Sequence, residues 1–411
     1  MLNDFCVVSK SEYDEFVGLR FEDGRPKVTF PRGFRLSDDE GQTRKDIVRL
    51  LAAIQRFSGR QEGSSSSFLN GDVQLTFPIL SYQYIIKDFL ANGYYIEKET
   101  QYIDGTRGKI NWKRTVQKKQ PVYNNGNLVY LDFVVKTNQV NSNNLLTRIH
   151  EYCVRESFEK LGWLYLTGET LPSKPKIRFN KRMFTSVLND ALNSTFNDHK
   201  RLLFTSMLNI VNSRQETVDS VDKEAYGVTR FEYIWEKMID HVFGEDNKDQ
   251  YFPHATWHIV SGNSIVSSAL EPDTIMLYED NVYILDAKYY KYGITRNPMH
   301  LPGSASIEKQ IVYGEYVQTR KGISGDRIYN AFVMPFDSGS EEKPYKFVSV
   351  GTADWKPYDD LSANYNYVLG ILVDTRYLLE QHSKHNISEI EKLSELIVSS
   401  LAEYRNDRPC I

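Results

Sequence analysis

A mostly apolar and aromatic stretch, EPDTIMLYEDNVYILDAKYY (271–290), is cut by Pro272-Asp273 near its front and by Asp286-Ala287-Lys288 near its back. A charge inside a buried sheet is costly unless it is paired or binds a metal. These residues are therefore either an ion pair exposed at a strand end or a group gathered for chemistry. Two expected strands, TIMLY (274–278) and VYILDAKYY (282–290), flank the connection EDN. A turn through Asp280-Asn281, both tolerant of positive φ, pairs Glu279 with Val282, Ile275 with Asp286 and Asp273 with Lys288. Side chains alternate along strands, so Asp273, Asp286 and Lys288 then share one face at the open end of the hairpin. A three-residue loop would put Asp273 on the other face. Two carboxylates and an ammonium there suit a Mg²⁺ site for phosphodiester cleavage. Mg²⁺ takes carboxylate, carbonyl and water oxygens, polarises a phosphate and lowers the pKa of a bound water. Asp273 and Asp286 would hold the metal together with the Ala287 carbonyl. Lys288 would position the attacking water and offset charge building on the phosphorane-like transition state.

The elements that must position these residues follow from periodicity. TRFEYIWEKMIDHVFG (229–244) carries Phe231, Ile234, Trp235, Met238, Ile239 and Val242 on one helical stripe, and Gly244 is a natural stop. After the hairpin come a helical segment (306–320), strands at 329–336 and 367–374, and a last helix near 388–404. From about 221 onward this predicts a mixed α/β sheet flanked by helices. Residues 1–143 read as a mixed α+β domain with helices at 43–57 and 77–90 and a strand at 127–137. GRQEGSSSSFLNGD (59–72) reads as a Gly/Ser linker or loop tip. Residues 144–220 read as a largely helical connection, with helices at 144–162 and 199–213. Three parts are thus expected: 1–143, 144–220 and 221–411.

Composition narrows the function classes. Charged residues make up 25% of the 411 and the net charge is −4, an ordinary soluble balance. The three cysteines (Cys6, Cys153, Cys410) are too scattered for a disulfide framework or zinc pair, which suits a reducing cytoplasm. His254 and His258 have a metal-like spacing but lack neighbouring ligands. No apolar run is long enough to span a bilayer, and MLNDFCVV has no basic region of the kind that opens a signal peptide. No GxxxxGK[ST] motif occurs, so no nucleotide is expected on a P-loop of this chain. Local basic runs matter more than net charge for nucleic acid. Arg107, Lys109, Lys113, Arg114, Lys118 and Lys119 surround Trp112 without an acidic residue among them. Such a stripe contacts phosphates or an acidic partner surface, or is simply a solvated face. SKPKIRFNKR (173–182) is a second basic run, a candidate for guiding DNA to the metal site.

The order PD-x12-D-x-K, on a hairpin after one helix and before another, resembles the PD-(D/E)XK nuclease core. The resemblance implies a restriction-endonuclease-like C-terminal domain. It also implies a carboxylate on the preceding helix, for which Glu236 is the match. On the following helix it implies a Gln and a Tyr, and EKQIVYGEY offers Gln310 with Tyr313 and Tyr316. The Gln would bond a metal ligand, the lysine or a phosphate. The Gln-to-Tyr spacings of three and six depart from the four of RecB-like nucleases. RGKINWKRTVQ, NNLLTRIHEYCV, FEYIWE, LDAKYYKYG and LPGSASIEKQIVYGEYV extend the resemblance over about 100–320, to the McrC-type nuclease subunits of GTP-dependent restriction systems and, within them, the LlaJI restriction endonuclease branch. That implies a type II-like or modification-dependent restriction endodeoxyribonuclease acting on double-stranded DNA in the cytoplasm, with Mg²⁺ as cofactor and Mn²⁺ as substitute. It also implies a separate McrB-like AAA+ GTPase that recognises and translocates DNA. This chain would dock on the GTPase through its N-terminal region and stimulate it. A nuclease of the same core in repair or transposition, and a non-catalytic activator, are the alternatives.

Overall fold

The computed structural model describes residues 2–10, 16–58, 73–75, 77–96, 98–124, 126–140, 144–165, 171–214, 224–340, 345–354 and 363–406. The Gly/Ser stretch 59–72 lies outside the described residues. The chain forms two compact units, Met1–Leu75 with Lys223–Ile411, and Thr76–Asp222. The expected 1–143 domain is therefore divided. The reason is a strand with no local partner: Ala225–Val228 pairs antiparallel with both Val17–Glu22 and Val73–Leu75.

The first unit is built on a five-stranded mixed sheet. Its strands are β1 (Thr274–Tyr278), β2 (Asn281–Ala287), β3 (Ile328–Phe336), β4 (Phe347–Asp354) and β5 (Tyr367–Asp374), in the order β1-β2-β3-β5-β4. The β2–β3 and β3–β5 pairs are parallel and the outer pairs antiparallel. All of β3, at the sheet centre, is buried, and its one polar interruption, Asn330, donates its side-chain amide to Gln310 O at 2.9 Å and Tyr365 O at 2.7 Å. Three helices matter for the site: α1 (Phe231–Phe243), α2 (Ser304–Lys321) and α3 (Ile387–Asn406). The parallel β2–β3 pair needs a long crossover, and α2 supplies it. Ile311, Tyr313 and Val317 of α2 pack with Ile275, Ile284, Phe332 and Val368. Tyr283, next along β2, instead meets Ser394 Oγ of α3 at 2.6 Å. Helices thus cover both faces, and side-chain alternation on β2 decides which residue meets which helix. The whole predicted stripe of α1 is buried, and Gly244 ends the helix by donating its N–H to Asp240 O at 2.7 Å.

A second sheet of this unit orders its strands Cys6–Val8, Arg25–Phe30, Val17–Glu22, Ala225–Val228 and Val73–Leu75. The loop after Arg25–Phe30 carries Gly33 at φ 73°; a Cβ there would meet Thr375 Oγ1 at 3.0 Å, and Phe336 N and Pro335 Cβ at 3.3 Å. Only glycine fits both that backbone and that space.

The other unit contains helices Ile79–Asn92, Leu145–Tyr165, Lys181–Ser194 and Asp198–Ser213 and a three-stranded sheet of Lys98–Asp104, Val134–Val140 and Lys109–Ile110. The single strand expected at 127–137 is two: Asn127–Val129 pairs with Val122–Asn124, and Val134–Val140 pairs with Lys98–Asp104. Among the described residues no helix is long and apolar enough to cross a membrane.

Candidate active site

The hairpin turns one residue earlier than its sequence suggests. Tyr278 faces Asn281, and the pairing runs down to Thr274 opposite Leu285, so the turn is Glu279-Asp280. Ile275 therefore faces Ile284 rather than Asp286, and Asp273 comes opposite Asp286 rather than Lys288. Both strands shift by one, so alternation still leaves Asp273, Asp286 and Lys288 on one face. β2 also ends at Ala287, not Tyr290. The Lys288 N–H still donates to Val333 O at 2.9 Å, but the Tyr290 N–H turns back to Lys288 O at 2.8 Å.

At this end the charges converge. Asp286 is 3% exposed, and its Oδ2 lies 2.7 Å from Lys288 Nζ. Asp273 Oδ2 accepts the Ala287 N–H at 2.8 Å, which ties the two strands together just beyond their ladder. The Asp273 carbonyl accepts from Lys248 Nζ at 2.7 Å, and Lys248 also pairs with Asp240 of α1 at 2.6 Å. Burial, and then the charge of Asp286, push the Asp273 carboxyl well above the usual carboxylate range, against the pull of Lys288. Burial pulls the Lys288 ammonium down, but Asp286 beside it outweighs that and the net shift is upward. Glu236 stands on the rim of α1, half-buried. Burial, and after it the charge of Asp273, push its pKa up to about 8, with Lys288 opposing. Trp235, its neighbour, donates its indole N–H to Val333 O at 3.3 Å, the same oxygen that holds Lys288 N. A single carbonyl thus fixes α1 and the Lys288 backbone together. A cavity of about 430 Å³ opens here, lined by Arg32, Glu232, Glu236, Ala287, Lys288 and Tyr289 among others.

The Asp286–Lys288 contact alone is what an edge ion pair looks like. Two further carboxyls held above their normal range are not, because a purely structural pair has no need of them. Asp273, whose ionisation burial and the charge of Asp286 make harder, forms with the facing Asp286 a hard-oxygen donor set that a cation would relieve. Among the described residues no three His, Cys, Asp or Glu side chains converge closely enough to ligate one ion. Two carboxylates completed by a main-chain oxygen and water fit Mg²⁺, which keeps several waters, and not Zn²⁺, which wants three or four protein ligands.

Gln310 is buried at 1% exposure, with neither amide atom hydrogen-bonded. Tyr313, fully buried, donates its hydroxyl to Glu271 O at 3.2 Å, and its pKa is raised, mainly by burial and to a lesser degree by Asp286 and Asp273. Tyr316 is half-buried. Two residues were missed by sequence reasoning. Lys309 has its ammonium 5.4 Å from the Tyr313 ring and feels both Asp286 and Asp273; its place beside Gln310 was the available signal. Arg32 enters from the loop after Arg25–Phe30, with nothing in the sequence to connect it.

The basic stripe lies in the other unit. Lys119 pairs with Asp104 at 2.8 Å and the Arg114 guanidinium stacks 3.8 Å from the Tyr102 ring centre. Arg107, Lys109, Lys113 and Lys118 are exposed, as is Trp112. In the second run, Lys181 is turned to the carbonyls of Asn212 and Arg214, while Lys174, Lys176 and Arg178 are exposed. His258 Nδ1 meets Ser264 Oγ at 3.0 Å, and His254 is exposed.

The family model for LlaJI restriction endonuclease matches residues 16–356, the acidic cluster included. This chain belongs to the LlaJI restriction endonuclease family. The LlaJI-family chain is also similar to the Type II restriction enzyme BsuMI component YdjA of Bacillus subtilis (strain 168). The two are 26% identical over 358 residues, covering 83% of this chain and 75% of that protein. Among solved structures this LlaJI-family chain is similar to a half-complex from a tetradecameric assembly of Thermococcus gammatolerans McrB AAA+ hexamers with bound McrC. Identity is 14% and the TM-score 0.37, over 96% of this chain and 82% of that one. A likeness that loose carries no weight for architecture or partner.

Proposed function

We propose that this chain is the Mg²⁺-dependent endonuclease subunit of a GTP-dependent restriction system. It hydrolyses phosphodiester bonds of double-stranded DNA with a PD-(D/E)XK core. The observation that carries the reading is Asp273 opposed to Asp286 at the strand ends, with Lys288 2.7 Å from Asp286. Asp273 and Asp286 would hold the metal, with the Ala287 carbonyl as the main-chain ligand. Bound there, Mg²⁺ (or Mn²⁺) would polarise the phosphate and lower the pKa of a water. Lys288 positions the attacking water and offsets the negative charge that grows on the phosphate. Glu236, at a pKa of about 8, exchanges a proton with water near neutral pH. Gln310, buried with an unsatisfied amide, orients a ligand or the lysine when the site is loaded.

The remaining assignments rest on family membership. A separate AAA+ GTPase recognises and moves the DNA in the cytoplasm, and this chain stimulates its GTP hydrolysis. The Bacillus relative, named as a component of a Type II enzyme, favours a type II-like assembly of several subunits over one that demands modified DNA. The test is purification with the neighbouring ATPase-like protein, then cleavage of duplex DNA with and without GTP and with Mg²⁺ stripped by chelation. Cleavage that needs both metal and GTP is expected. Cleavage indifferent to chelation would remove the metal from the reading, and none under any condition would remove the nuclease.

A further inference from the structure

We infer that Arg32 is a positioning residue for cleavage: from the N-terminal segment it fixes Tyr289, and through Tyr289 the limb that presents Lys288. The inference rests on the reading of Lys288 as the catalytic cation. β2 stops at Ala287, so Lys288 and Tyr289 lie beyond the ladder that would otherwise set their direction. Tyr289 is gripped instead at two points by a residue 257 positions away. Its hydroxyl accepts the Arg32 main-chain N–H at 2.6 Å, and its carbonyl accepts the Arg32 guanidinium at 3.1 Å. The guanidinium carbon lies 4.9 Å from the Tyr289 ring centre, within cation–π range. On its other side the ring leans on Phe231 at 5.7 Å and Trp235 at 6.1 Å, both on α1, the helix that carries Glu236. The clamp therefore sets Lys288 and Glu236 relative to each other.

Arg32 is only 5% exposed and shares its cavity with the Lys288 ammonium. Glu232 and Glu236 line the same cavity. A planar fork reaches a carbonyl while lying along a ring; an ammonium does not do both. Gly33, wedged against Pro335, Phe336 and Thr375, anchors the loop that delivers Arg32. Residues 1–75 thus complete the active site and do not merely precede it.

Arg32→Ala, Arg32→Lys and Tyr289→Phe in the full-length chain, assayed with the partner GTPase and GTP, test this. Each should lower kcat for Mg²⁺-dependent DNA cleavage by about tenfold to a hundredfold, with KM and DNA affinity within about twofold of wild type. Amide exchange at Lys288 and Tyr290 should be about tenfold faster, with Ile387–Asn406 unchanged. Millimolar guanidinium should restore part of the Arg32→Ala rate. Unchanged kcat with unchanged exchange in a wild-type background that cleaves overturns the Arg32 inference alone. A loss of DNA affinity with kcat intact overturns it too, by making Arg32 a phosphate contact. A wild-type chain that cuts no DNA even with the GTPase, GTP and Mg²⁺ present overturns the nuclease reading itself, and the role of Arg32 with it.

Discussion

Asp286 has two jobs, and its substitutions must be chosen to separate them. It is a proposed metal ligand, and it is also the buried partner of Lys288, with a side chain only 4% exposed. Asp286→Ala would leave an ammonium without its carboxylate, at a cost of about 3–5 kcal/mol for a fully buried pair and less for one with a partly exposed lysine. Asp286→Asn keeps the shape and an acceptor oxygen. It should cut the cleavage rate about a hundredfold or more while melting within a few degrees of wild type; wild-type turnover in Mg²⁺ would remove Asp286 from the site. Lys288→Met should lose cleavage and keep Mg²⁺ binding by calorimetry, and a loss of metal binding instead would make the lysine a structural counter-ion. Glu236 gives a pH signature. Its carboxyl ionises near 8 in the fold, against an ordinary value of 4.5. Between those values the folded chain holds a proton that the unfolded chain has released, so stability falls as pH rises through that window. Glu236→Gln should flatten the fall and melt roughly 2–4 °C higher at pH 8. Parallel melting curves for the two proteins from pH 5 to 8 would contradict the burial argument.

The hairpin of β1 and β2 shows what the sequence carried and what it did not. Period-two apolar runs placed β1 correctly, and the helical stripe of α1 was legible because all six of its residues are buried. Turn chemistry misplaced the hairpin by one residue. Asp280-Asn281 looks the better pair for positive φ, yet Glu279 takes the left-handed conformation at φ 52°. Strand pairing overrode the local preference, because this register sets Ile275 against Ile284 within the α2-facing core. The co-facing of Asp273, Asp286 and Lys288 survived because face depends on parity, not on the exact partner. Lys309 and Arg32 were not legible, since their roles depend on helix rotation and on a long-range loop. A non-glycine residue at positive φ stores strain, so Glu279→Gly should stabilise the chain by about 0.5–1 kcal/mol without altering cleavage. An equal or lower midpoint in urea would mean that Glu279 has compensating contacts.

At the scale of the whole molecule, the change of pattern near 221 marks a return to a sheet already begun, not the start of a self-contained nuclease. Among the described residues, Ala225–Val228 pairs with strands of the first 75 residues, and Arg32 reaches Tyr289 from there as well. A fragment beginning at 224 would expose that strand and lose the clamp. It should lack a cooperative thermal transition, whereas a fragment that melts like the full chain would restore a nuclease domain confined to 221–411. The unit outside this sheet, Thr76–Asp222, is where partner docking belongs in the proposed assembly, and its exposed cations decide what it faces. Arg114 and Lys119 are occupied by Tyr102 and Asp104, which leaves Arg107, Lys109, Lys113 and Lys118 exposed; the pair on the helix Trp112–Lys118, Lys113 and Lys118, is tested first. Reversing both to Glu in the full-length chain should lower stimulated GTP turnover if they meet an acidic surface of the GTPase, with on-rate and its salt dependence affected most. If they meet DNA, GTP turnover survives and the salt dependence of DNA binding becomes shallower by about two counterions, one for each lost phosphate contact. No change in either measurement would return the stripe to a solvated face and move docking elsewhere on the chain.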